Sequence, residues 1–167
     1  MLYADRISQK CAGFCFGVNH AMDEVNALLD AGESVCTLGP IIHNPQVVEQ
    51  LRRRGVRTVE TPTQVPAGAV LVIRSHGVPQ STYDAIAAAG IRCCDATCPF
   101  VAKIHRIVAT NSGEKTAVLI AGDPDHPEVL GIRGHCVGTS FVFRNREELT
   151  QQLKIIQSGD FTSCIMV

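Results

Sequence analysis

Short unbroken apolar runs alternate along this chain with segments of helical periodicity, and that alternation is the tightest constraint on what it can fold into. Ala69 to Ile73 and Ala117 to Ala121 are continuous apolar stretches rich in branched residues, as strands covered on both faces of a parallel sheet require. Val35 to Leu38, Val56 to Val59, Ile91 to Asp95 and Phe141 to Phe143 read as further strands. Between them, Ala21, Met22, Val25, Leu28 and Leu29 recur at helical spacing and stop at Gly32. Asn44 and Pro45 open a second helix that Gly55 closes, and Pro79 to Ala89 and Pro99 to Ala109 give two more. Asn145 with Glu148 forms a capping box for a helix running through Ile156. The expected fold class is α/β with mostly parallel sheets, not a helical bundle or a sandwich.

The 167 residues suffice for one ordinary domain or two small ones. A strand-helix series restarts near residues 96 to 99, which predicts a first α/β domain at 1–97 and a second at 98–167. Phe161 to Val167 reads as a strand without the loop that ought to follow it. The expectation is a second domain truncated at its C-terminal end, or completed by another polypeptide.

Apolar residues at 46% against 19% charged describe a packed globule, and a net charge of -1 supplies no general field for nucleic acid. The basic cluster Arg52 to Arg54 ends a predicted helix, where cations complement the dipole. The opening MLYADRISQK lacks an apolar stretch of signal-peptide length, and no run approaches the roughly 18 residues needed to span a bilayer. A cytoplasmic protein that binds neither nucleic acid nor membrane is expected. Eight cysteines in a reducing compartment then point to metal, redox chemistry or burial before disulfides.

Cys98, His43, His76 and His126 each follow a strand-like run, and in open α/β sheets ligands bind at the carboxyl ends of strands. Cys15 lies in a turn between Gly13 and Gly17, and Cys98 lies between Thr97 and Pro99 at a strand-to-helix junction that favours a thiolate. The two are too distant in sequence for a local zinc knuckle, so a metal would be clamped between separate loops; plain burial is the other reading. The three histidines sit among Gly, Pro and Asn in loops, where convergent imidazoles bind a metal or, protonated, a phosphate-type anion. Glu128, two places after His126, reads as a general acid or as a first-turn carboxylate stabilising a helix. His20 and His105 read as peripheral or structural, and most of Cys11, Cys36, Cys93, Cys136 and Cys164 as inert, with Cys136 and Cys164 conceivable as further metal ligands though nothing in their spacing supports either.

Together GFCFGV at 13–18, HN at 43–44, SHGV at 75–78, DATCP at 95–99 and HPEV at 126–129 resemble the 4-hydroxy-3-methylbut-2-enyl diphosphate reductase family. The likeness covers essentially the whole chain, but about the first half to two-thirds of the family's usual length. It implies a trefoil of three α/β domains around a [4Fe-4S] cluster, with the first two domains represented here and the third missing. It also implies Cys15 and Cys98 as two of three cluster ligands, the third lying beyond Val167. His43, His76 and His126 would hold a diphosphate substrate and Glu128 would donate the proton. Electrons from ferredoxin or flavodoxin would pass through the cluster, water would leave, and isopentenyl or dimethylallyl diphosphate would form in the last step of the non-mevalonate isoprenoid pathway. Read without the resemblance, the same loops also suit a non-catalytic module binding zinc or a phosphorylated metabolite.

Overall fold

Residues 13–167 are described by the structure, a computed structural model; Cys11 and the N-terminal segment read for targeting lie outside them. Helix α1 (Phe16–Asp30) leads into β1 (Val35–Leu38), α2 (Pro45–Arg53) and β2 (Arg57–Val59). A 3-10 turn at Pro62–Gln64 precedes β3 (Val70–Ile73), α3 (Gln80–Ala88) and β4 (Arg92–Asp95). Helix α4 (Pro99–Asn111) is followed by β5 (Thr116–Ala121), α5 (Pro127–Arg133), β6 (Ser140–Phe143), α6 (Arg146–Ser158) and β7 (Ser163–Met166). No helix among the described residues is long and apolar enough to cross a membrane.

The strands form two sheets, ordered β2-β1-β3-β4 and β6-β5-β7, and all pairings are parallel. All four residues of β3 are buried, as its unbroken apolar run predicts, and so are all four of β1, Thr37 included. Strand alternation sorts them between two cores. Val35 and Val72 pack on one face with Ala21 and Val25 of α1 and Leu51 of α2. Cys36, Leu71 and Ile73 pack on the other with Ile86 of α3. In the second sheet Val118 and Ile120 of β5 pack against Val108 of α4 and Val129 and Ile132 of α5.

The strand order places the ligand crevices. The chain leaves β1 toward β2 on one side, whereas β4 lies on the far side of β3, so the order reverses between β1 and β3. In the second sheet it reverses at β5, flanked by β6 and β7. Open parallel sheets bind ligands at such switch points, beyond the carboxyl ends of the strands. The loops that leave β1, β3 and β5 carry His43, His76 and His126.

Candidate functional site

Each histidine is delivered by a loop tied to the core. Ile41 and Ile42 are buried and pin the loop after β1, leaving His43 exposed beside Asn44, whose side chain caps α2 by accepting from the Gln46 and Val47 amides at 3.0 and 3.3 Å. His76 follows the buried Ser75 in a turn closed by the Gly77 amide on the Arg74 carbonyl at 3.0 Å. His126 caps α5 and comes from the other sheet. The three rings converge, with centroids 4.9 Å apart for His43 and His76, 5.8 Å for His43 and His126, and 5.4 Å for His76 and His126. One nitrogen from each lies within 4.8 Å of the others.

Their protonation states follow from their surroundings. Burial, and then the charges of His43, Arg74 and His126, pull the His76 imidazole down to about 4, so it is neutral near pH 7. Its Nδ1 is buried with no hydrogen-bond partner. The Glu128 amide donates to His126 Nδ1 at 3.2 Å. An imidazole nitrogen that accepts a hydrogen bond carries no proton, so neutral His126 holds its proton on Nε2 and its free nitrogen is a donor. The contact between Glu128 and His126 runs through the Glu128 backbone, while its carboxylate stands in the first turn of α5.

Both cysteines sit at helix N-termini, Cys15 before α1 and Cys98 before α4. These two ends touch. A Cβ placed on Gly17 would come within 2.6 Å of Cys98 Sγ, and the Phe16 and Phe100 rings meet edge-on at 6.3 Å. Gly17 thus serves contact between the two turns. The Cys98 amide donates to the Ser75 carbonyl at 2.9 Å, which ties the cysteine turn to the residue before His76. Cys15 is exposed, Cys98 is half-buried, and both are free thiols.

Beneath the loops lies a framework of which the sequence reading named only His105, as peripheral or structural. His105 of α4 stacks on His135 with centroids 4.3 Å apart, and His135 Nε2 lies 3.0 Å from the Val78 carbonyl. The Tyr83 hydroxyl donates to Asp95 at 2.9 Å, and Asp95 accepts from the Thr97 amide at 3.0 Å. Gly77 and Gly131 leave room for the His105 ring, since a Cβ on either would approach it within 2.6 or 3.1 Å. An Asp two places before a Thr is a turn signal that sequence alone could have offered for this network.

A family model described as LytB protein matches residues 7–166 of this chain. A 4-hydroxy-3-methylbut-2-enyl diphosphate reductase from Desulfovibrio desulfuricans is 42% identical over 147 residues, which are 84% of this chain and 51% of that protein. The reductase of the same name from Geobacter sp. (strain M21) is 40% identical over 153 residues, covering 92% of this chain and 54% of its own length. A solved structure of (E)-4-hydroxy-3-methyl-but-2-enyl diphosphate reductase, the terminal enzyme of the non-mevalonate pathway, superposes with a TM-score of 0.71 at 30% identity, over 93% of this chain and 64% of that one. The Plasmodium falciparum reductase shares the fold, with a TM-score of 0.76 at 22% identity. The chain spans about half the length of the curated relatives it matches.

Proposed function

As a member of the LytB protein family, this chain, we propose, carries the diphosphate-binding and cluster-binding part of a 4-hydroxy-3-methylbut-2-enyl diphosphate reductase. The observation that carries the reading is the meeting of three imidazoles from two sheets beside a pair of cysteine turns linked to them through Ser75. A diphosphate needs donors from several directions, and loops leaving three strand ends supply them. His126 offers Nε2-H, and the unsatisfied nitrogen of His76 gains a partner once an oxyanion enters. Bound negative charge would also raise the affinity of the His76 ring for a proton, against the burial that keeps it neutral.

Cys15 and Cys98 would hold an iron-sulfur cluster, and their chemistry fits: two soft, unpaired thiols at adjoining helix N-termini. When bound, a [4Fe-4S] cluster supplies electrons at a potential suited to reductive removal of an allylic hydroxyl. The chain's own tasks are to anchor the diphosphate end through His43, His76 and His126, and to place an acid near the reacting end. Glu128 is our candidate for that acid, close to the anion-binding ring but free of a salt bridge among the described residues. The substrate accepts an electron pair and protons and loses its hydroxyl as water. Ferredoxin or flavodoxin is the proposed electron donor and the cytoplasm the proposed compartment, in keeping with seven described cysteines that are all free. We assign 1–97 and 98–167 as two domains because each holds its own sheet.

A zinc-binding module would ask for a lone pair from each ring, and the three nitrogens lie close enough together for one; against it, the Glu128 amide already occupies the Nδ1 lone pair of His126. Anaerobic reconstitution with iron and sulfide tests the reading. The expected product is brown, absorbs broadly near about 400 nm, contains both iron and inorganic sulfide, and is lost in Cys15→Ser and Cys98→Ser. Tight zinc uptake without sulfide, abolished by His43→Ala, would overturn it.

A further inference from the structure

The two cysteine turns carry apolar side chains into solvent. Phe16, next to Cys15, is 64% exposed, and Phe100, two places after Cys98, is 68% exposed. Their rings hold each other edge-on and do not pack inward, although a phenylalanine left in water forgoes a large burial gain. The patch continues along α4. Phe100, Lys103 and Ile107 follow one another at spacings of three and four, so they share a face, and Ile107 too is exposed. Lys103, Arg106 and Ile107 line a shallow depression of about 320 Å³ that Thr110 and Asn111 complete. Neither cation forms an ion pair within 4.0 Å among the described residues, and α4 contains no aspartate or glutamate.

A small apolar platform beside a redox centre, rimmed by charge of one sign, suits a brief electron-transfer contact. The small area lets the partner leave, and the charge speeds its arrival. From Phe100 to Ile107 the helix advances on the order of 10 Å, which keeps the contact in that class. The chain's net charge of -1 supplies no overall field, so these two cations set the local sign. A second copy of the chain is a poor occupant, because a two-fold contact would set Lys103 and Arg106 against their own equivalents. We propose that Phe16 and the exposed face of α4 from Phe100 to Ile107 form the docking surface for an acidic one-electron carrier protein. This rests on the cluster reading of Cys15 and Cys98. Each docking passes one electron and leaves the carrier oxidised, and two dockings supply the pair with which the allylic hydroxyl departs as water.

Biolayer interferometry of the full chain, before and after reconstitution with iron and sulfide, tests it against an oxidised acidic [2Fe-2S] ferredoxin. A basic cytochrome c is the counter-probe, and each variant is checked by its melting curve. The unaltered chain is expected to bind the ferredoxin, more weakly as salt rises, and not the cytochrome. Lys103→Glu combined with Arg106→Glu is expected to weaken binding about ten- to a hundred-fold and to remove its salt dependence. Phe100→Ser is expected to weaken binding about three- to ten-fold with the salt dependence kept. Unchanged affinity in either folded variant, equal binding of both carriers, or no ferredoxin binding by a chain that has taken up iron and sulfide would overturn the docking surface and leave the cluster reading standing. Failure to take up iron and sulfide at all would overturn the reading on which it rests.

Discussion

At the scale of single residues, the protein keeps two imidazoles neutral for different ends. His76 stands at the ligand crevice, half-buried, where an incoming anion can change its state. His105 is only 5% exposed, and burial followed by the neighbouring His135 brings it down to about 4, with Asp95 pulling weakly the other way. A histidine whose folded value lies below its unfolded value of about 6.5 stabilises the fold fully above that pH. That contribution shrinks as the pH falls, because the unfolded chain takes up the proton first. At about 1.4 kcal/mol per unit, the loss between pH 7 and pH 4 from His105 comes to about 3 kcal/mol. Urea unfolding across this range should show the decline, and His105→Gln should flatten it; an equally steep decline in the variant would count against His105 as its source.

At the scale of elements, the loop after β3 is docked against the segment that ends α5. The Gln80 amide donates to the Gly134 carbonyl, and a Cβ on Gly134 would lie 2.6 Å from Pro79 Cα. Gly134→Ala should therefore push these segments apart, lowering stability by about 1–3 kcal/mol in urea unfolding and weakening pyrophosphate binding because His126 rides on α5. Retained affinity at full stability would mean that the docking does not set the cluster. Elements of this kind were legible to different degrees. The strands with continuous apolar runs, β3 and β5, and the helices opened by Asn44-Pro45 and Asn145 could be read because burial on two faces and caps leave local marks. Asn145 accepts from the Glu148 amide at 2.9 Å as its motif predicts, but Glu148 turns its carboxylate to the Arg144 amide and guanidinium. The short 3-10 turn at Pro62–Gln64 left no hydrophobic period to detect, and α4 extends to Asn111, whose side chain bonds back to the Ile107 carbonyl.

At the scale of the whole molecule, the site belongs to neither sheet alone; the sequence led to the expectation that its three histidines converge, and the structure adds how closely they meet. Each loop announces itself by following an apolar run; that His126 approaches His43 within 5.8 Å, that Gly17 abuts Cys98 and that Arg74 ends without a partner are long-range facts. Such a site couples its halves. A pyrophosphate held as proposed, by His43 and His76 from one sheet and His126 from the other, would bind only the docked arrangement, and its binding energy would add to the docking itself. At a hundred times its dissociation constant the ligand should stabilise the fold by about 2.7 kcal/mol, raising the melting temperature by about 5–10 °C for a chain of this size. Hydrogen exchange should slow together in residues 39–44, 74–79 and 122–130. In His126→Ala the same ligand should protect the first two stretches alone, because the bridge to the second sheet is gone while the switch point between β1 and β3 remains. Protection confined to one sheet in the unaltered chain would mean that the three imidazoles do not share a ligand.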